Sequence, residues 1–209
     1  MQLIKKLMLE NKAWAQSKVD LDANYFKKMA IEQNPKYLWI GCADSRVPPS
    51  EITNTDPGEM FVHRNIANLV VHTDTNLLSV LQYAVEVLEV PHIIVCGHYN
   101  CGGVKAALSG QSLGLIDNWV RNIKDTYFTN LKEVDAIENE AARVNRLVEL
   151  NVIRQVNNLA HTAIIQKSWA QKKYPYIHGW VYDLSTGHIK EIQTMSPDTV
   201  INKAHKYNF

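Results

Sequence analysis

The stretch YLWIGCADSRVPP, residues Tyr37 to Pro49, decides how this chain is read. It opens as a short apolar run, the pattern of a buried strand. It closes on Pro48-Pro49, which no strand interior accepts, because proline lacks the amide hydrogen a ladder needs. Between the two stand Cys42, Asp44, Ser45 and Arg46. A thiol, a carboxylate and a guanidinium therefore crowd the point where an apolar strand becomes a loop.

Outward from this stretch, strands and helices alternate. GEMFVHRN, Gly58 to Asn65, reads as a second strand and HIIVCGH, His92 to His98, as a third, β-branched and apolar throughout. Between them, Asn76 to Val90 has the three- and four-residue apolar spacing of a helix, with Pro91 after it. CGGVKAALSG predicts a short helix ended by Gly110. Residues 115–172 read as helical, with loops near 126–132. YIHGWVYDLSTGHIKEI then predicts strand, turn and strand. Such alternation predicts an α/β fold, a mostly parallel central sheet flanked by helices. In such sheets the working site lies beyond the carboxyl ends of the strands. Residues 1–34 read as an N-terminal helical arm of two helices. Leu3, Leu7 and Trp14 share one face of the first, and Asp20 or Asp22 is placed to cap the second. Residues 35–195 form a single α/β domain, and 196–209 a tail that is either loose or a contact arm.

Composition sets broad limits. Of 209 residues, 46% are hydrophobic and 21% charged, as in ordinary globular proteins, and the net charge is +1. Nothing there marks a nucleic-acid partner or an anionic membrane surface. No apolar run approaches the roughly 18 residues of a membrane span. The N-terminus mixes charge into its apolar positions, unlike a signal peptide, so a cytoplasmic protein is expected. Three cysteines, Cys42, Cys96 and Cys101, make no disulfide framework.

Two of these cysteines belong to a pattern. Cys42-x-Asp44 closes the first strand and His98-x-x-Cys101 follows the third. Two thiolates, an imidazole and a carboxylate are ligand types that zinc accepts in tetrahedral geometry, and thiolates disfavour magnesium and calcium. Plain burial of the thiols leaves Asp44 and His98 unexplained. Asp44 has two possible partners, the metal or Arg46, two residues on along an extended segment. If Arg46 holds it, the metal keeps three protein ligands and an open position for water, the catalytic arrangement. Four closed protein ligands read as structural. Cys96, inside the third strand, is expected to be an inert buried thiol. The remaining histidines are scattered and lack ligand spacing.

CADSR at 42–46 with GHYNCGG at 97–103 resembles the β-class carbonic anhydrases. The resemblance runs from about Trp14 to Asp183, through VHRNIAN at 62–68, QYAVEVL at 82–88 and HGWVYD at 178–183. It implies reversible hydration of CO2 to bicarbonate and a proton by zinc-bound hydroxide, with one zinc per subunit on Cys42, His98 and Cys101. Asp44 and Arg46 would form the catalytic dyad, Asp44 joining the metal when released. Gln33 matches a position that holds substrate across a dimer interface, and Phe61, Ile66, Tyr83 and Gly102 match the substrate pocket. Homodimers or homotetramers are implied. Trp39, Arg64 and Tyr182, with Val47 after the dyad, match a subgroup in which bicarbonate binds a non-catalytic site and inhibits. An anion at Arg64 would displace the loop after Cys42, part Asp44 from Arg46 and close the site, with activity rising steeply with pH. The alternatives are a carbonyl sulfide or carbon disulfide hydrolase on the same fold, and a non-catalytic regulatory protein with a structural zinc.

Overall fold

The computed structural model describes all 209 residues. Its contacts separate two units, Met1–Asn34 and Pro35–Phe209. The first holds α1 (Gln2–Leu21) and α2 (Tyr25–Met29). Leu3, Leu7 and Trp14 are all exposed on α1. Asp22 does not cap α2. Its carboxylate accepts from the Asn24 amide at 2.9 Å and from Lys28 Nζ at 2.7 Å, and the helix starts one residue later. Asp20 instead accepts from Gln16 at 2.7 Å on α1.

The second unit is built on a five-stranded sheet. Its strands are β1 (Tyr37–Cys42), β2 (Met60–Asn65), β3 (His92–His98), β4 (Tyr176–Tyr182) and β5 (Ile189–Met195). Their order is β2-β1-β3-β4-β5, parallel except for the β4–β5 pair. The chain runs from β1 out to β2, then returns to place β3 on the other side of β1. The strand order thus reverses beside β1, where the crossovers leave a crevice at the carboxyl ends.

The helices are α3 (Pro49–Thr53), α4 (Thr75–Gln82), α5 (Gly102–Leu108), α6 (Ile116–Thr129), α7 (Leu131–Asp135), α8 (Glu140–Ala160) and α9 (Ala163–Gln171). The 76–90 segment is therefore not one α-helix. It widens into a π turn over Tyr83–Val87, and Glu89 takes a left-handed φ of 52° as the chain reverses toward β3. The break expected near 126–132 falls at Asn130, with a second, longer one after α7. Helix persists to Thr129 and resumes at Leu131, and the longer gap lies before Asn139, whose side chain caps α8 by accepting from Ala142 N at 2.9 Å. The tail is tied down: buried Gln166 bonds the backbone of both His205 and Tyr207.

The main core joins one sheet face (Leu38, Ile40, Ile93, Val95) to Val148, Val152 and Val156 of α8 and to Leu77 and Leu81 of α4. On the other face, Trp39, Ile94 and Cys96 form a smaller cluster. Helix α8 lies so close that a Cβ on Gly97 would stand 2.7 Å from Val152 Cγ2. Overpacking of this kind costs about 1–3 kcal/mol. Gly97→Ala should lower stability by that amount in chemical denaturation, and Val152→Ala should restore part of it by opening the space. Strictly additive losses in the double variant would contradict the contact.

Candidate metal centre

Cys42 is the last residue of β1 and His98 the last of β3, adjacent strands in register. Three residues on, Cys101 precedes the first turn of α5, after Asn100 reverses the chain with a left-handed φ of 61°. The ligand atoms of Cys42, His98 and Cys101 all lie within 4.8 Å of one another, and all three residues are buried. The two sulfurs are 4.0 Å apart and unlinked. Alternation alone would not bring His98 here, since it shares parity with Cys96 on the opposite face. The last side chain of a strand is free to turn over the sheet's end.

His98 Nδ1 is 2.9 Å from the Tyr99 carbonyl. A carbonyl only accepts, so Nδ1 carries the proton and Nε2 keeps its lone pair. That Nε2 is buried and has no hydrogen-bond partner. Buried polar atoms are almost always satisfied, so the orphan could serve as a metal ligand, with the second nitrogen fixed as in metal-bound imidazoles. The thiols act as a pair. A hydrogen bond from Cys101 holds the pKa of Cys42 down, and the resulting thiolate pushes that of Cys101 up. The amide of Ala67 adds a 3.4 Å contact to Cys42 Sγ. Two sulfurs and one nitrogen in a closed space suit a soft-to-borderline ion such as zinc.

Asp44 stands beside this set. Its Oδ2 is 3.6 Å from His98 Nε2. Its bonds go the other way: Oδ1 accepts from Arg46 Nε at 2.9 Å and from the Arg46 amide at 3.0 Å, and Oδ2 from Arg46 Nη2 at 2.7 Å. The Arg46 hydrogen bond is the main reason its carboxyl is held well below the usual range. The sign follows: this pairing stabilises the fold above the ordinary carboxylate pKa of about 3.9 and is lost as pH falls through the lower folded value. At neutral pH Asp44 is an anion.

Arg64 on β2 holds the same loop from behind, donating from Nε to the Cys42 carbonyl at 2.9 Å and from Nη2 to the Asp44 carbonyl. Trp39 is fully buried and its Nε1 has no partner. The indole lies against β1, where a Cβ at Gly41 would fall 2.2 Å from Nε1. Tyr182 packs into the Trp39 cluster, and Val47 is buried. Phe61 and Tyr83 approach with ring centroids 5.9 Å apart. Ile66 is 40% exposed, and a side chain on Gly102 would meet open space. Gln33 lies exposed in the helical unit. Cys96 donates to the Gly97 carbonyl at 3.3 Å, and burial pushes its pKa up, so it is an inert thiol.

Sequence reasoning overlooked the support behind Ala67. Ala67 (φ 63°) and Asn68 (φ 50°) take left-handed backbone that costs a non-glycine residue about 1 kcal/mol or more. Asn151 Nδ2 donates to the Ala67 carbonyl at 3.0 Å, Gln155 accepts from Val70 N at 2.8 Å, and Asn158 donates to the Val70 carbonyl at 2.9 Å. Polar residues at 151, 155 and 158 break the apolar stripe of α8, and that break was the available signal.

Known proteins agree with this geometry. Residues 37–189 match the carbonic anhydrase family model. A carbonic anhydrase of Emericella nidulans is 48% identical over 97% of this chain and 89% of its own length. A tetrameric β-carbonic anhydrase of Sordaria macrospora superposes with TM-score 0.90 at 38% identity, covering 93% of this chain and all of that one. The Coccomyxa β-carbonic anhydrase, solved with acetazolamide, gives 0.86 at 39%, covering 91% and 87%. Strand ends that gather two thiols and an unpartnered imidazole nitrogen, on this sheet and with these relatives, place the chain among the β-class carbonic anhydrases.

Proposed function

We propose that the chain hydrates CO2 reversibly to bicarbonate and a proton on one zinc ion per subunit, held by Cys42, His98 and Cys101. The observation that carries this reading is the orphaned, buried His98 Nε2 between two thiols, with Asp44 turned away onto Arg46. When bound, zinc supplies Lewis acidity, which brings the pKa of coordinated water to about 7 in carbonic anhydrases with three-histidine sites. Asp44, kept anionic by Arg46, would accept a hydrogen bond from the attacking water and orient it. Arg46 denies Asp44 to the metal. Phe61, Ile66 and Tyr83 give CO2 an apolar wall, and Gly102 leaves room beside it.

We further propose that bicarbonate inhibits at Trp39, Arg64 and Tyr182. Support comes from the unpartnered Trp39 Nε1 and from the Arg64 bonds to the carbonyls of Cys42 and Asp44. An anion that takes Arg64 would loosen the loop and release Asp44 from Arg46 toward the Cys42, His98 and Cys101 cluster, a coupling between two sites through one bistable segment. Homodimers or homotetramers, with Gln33 serving a neighbouring site, agree with the apolar residues exposed on α1. Three free thiols agree with a reducing compartment such as the cytoplasm.

Stopped-flow CO2 hydration with metal analysis tests the first proposal. One zinc per chain and activity that rises from about pH 7 to 9 are expected. Stoichiometric zinc without activity at the alkaline end would defeat it. Asp44→Asn should retain zinc while activity falls about 10²–10⁴-fold. Trp39→Phe and Tyr182→Phe should weaken bicarbonate inhibition with zinc content intact. Unchanged inhibition in both would remove the control site.

A further inference from the structure

Away from the candidate metal centre, the C-terminal segment crosses the start of α9 and borders a half-open cavity of about 440 Å3. Its wall carries His72, His161, His205 and Lys206, and no carboxylate lines it. The rings of His161 and His205 stack, with centroids 4.1 Å apart and planes 15° apart. Two imidazoles that close cannot both take a proton cheaply unless a negative charge joins them.

The cluster is built rather than accidental. Buried Gln166 donates its Nε2 to the His205 carbonyl at 2.8 Å and to the Ala160 carbonyl at 3.0 Å, and its Oε1 accepts from Tyr207 N at 2.8 Å. One side-chain amide thus clips the tail to α9 and holds His205 over His161. His72 is fixed from the other side, with Nε2 donating to the Asn158 carbonyl at 2.8 Å. Burial is the first cause that holds the pKa of His161 down. The charges acting on it, from His205, His72 and Arg154, are all cationic and push it the same way.

A metal ion and an anion are the two ligands such a cluster suggests, and the geometry decides between them. Cys42, His98 and Cys101 bring one ligand atom each within 4.8 Å of the others, and the three histidines here do not. Three imidazoles and the Lys206 ammonium, without a carboxylate among them, select the anion. A dianion also offsets a stacked pair better than a monoanion. Phosphate monoesters carry close to two charges at neutral pH, with a second pKa of about 6.

We propose that this cavity binds a phosphate-type oxyanion, either inorganic phosphate or the phosphate group of a small monoester. His161, His205 and Lys206 donate to its oxygens, and His72 donates from Nδ1 when protonated. The first turn of α9, with Thr162 and Ala163 on the cavity wall, adds the positive end of a nine-residue helix.

The test is NMR of the histidine side chains in the full-length, zinc-loaded protein at about pH 6.5. Inorganic phosphate, glycerol phosphate and bicarbonate are titrated separately at fixed chloride. The signals of His161 and His205 should move together and saturably with a phosphate compound. The compound that saturates at the lower concentration identifies the source. His205→Gln with Lys206→Gln, both at exposed positions, should weaken binding about tenfold or more, without changing CO2 hydration in phosphate-free buffer. No saturable shift by about 20 mM phosphate, a range where even weak sites fill, would overturn the proposal. So would undiminished binding in the double variant, or bicarbonate saturating the site as well as phosphate does.

Discussion

The site turns on one carboxylate with two claimants. Asp44 Oδ2 lies 3.6 Å from a histidine nitrogen that has no partner, yet its bonds go to Arg46. A guanidinium matches a carboxylate with two parallel hydrogen bonds, and here a backbone amide adds a third. If that hold fails, the carboxylate is already next to the metal ligands. In the proposed zinc site, a short rearrangement would then change three protein ligands to four, the difference between a catalytic and a closed site.

The rest of the second unit keeps this choice available. Parallel pairing of β1 and β3 brings Cys42 and His98 to the same edge. Arg64 fixes the carbonyls of Cys42 and Asp44, so the loop holding Asp44 is restrained by polar contacts, the ones the proposed inhibitory anion would contest. On the opposite side, Asn151, Gln155 and Asn158 hold the 67–70 segment, left-handed at Ala67 and Asn68, and the Ala67 amide points at Cys42 Sγ. The side of the cysteine–histidine cluster is anchored through Ala67 to α8, whereas the Asp44 side rests on arginines that are partly or largely exposed. This asymmetry suits the proposed site, in which Asp44 is the group that changes partner.

Much of this was legible from residues alone. An apolar run that ends in Cys-x-Asp-x-Arg, and another that ends in His-x-x-Cys, imply a strand-end metal site because strand periodicity and ligand chemistry are both local signals. The same locality explains the misses. The π turn at Tyr83–Val87 keeps helical spacing, so no pattern separates it from α-helix. Asp22 has the composition of a cap but spends its oxygens on Asn24 and Lys28. Whether the tail was loose or a contact arm stayed open because its anchor, Gln166, lies 39 residues before His205, and only the fold reveals that pairing. The Asn151, Gln155 and Asn158 bonds reach across more than 80 positions to backbone, which leaves no partner to find in the sequence. Contacts to backbone are invisible to residue-type reasoning, and in this protein they carry much of the positioning.

Zinc K-edge X-ray absorption at alkaline pH, on the native chain and on Asp44→Asn, tests the central claim most directly. With Arg46 holding Asp44, both proteins should show the same first shell: two sulfurs at about 2.3 Å and two lighter atoms at about 2.0–2.1 Å. Loss or replacement of a light-atom ligand in Asp44→Asn would show that Asp44 binds the metal even when the site should be open, and would contradict the account.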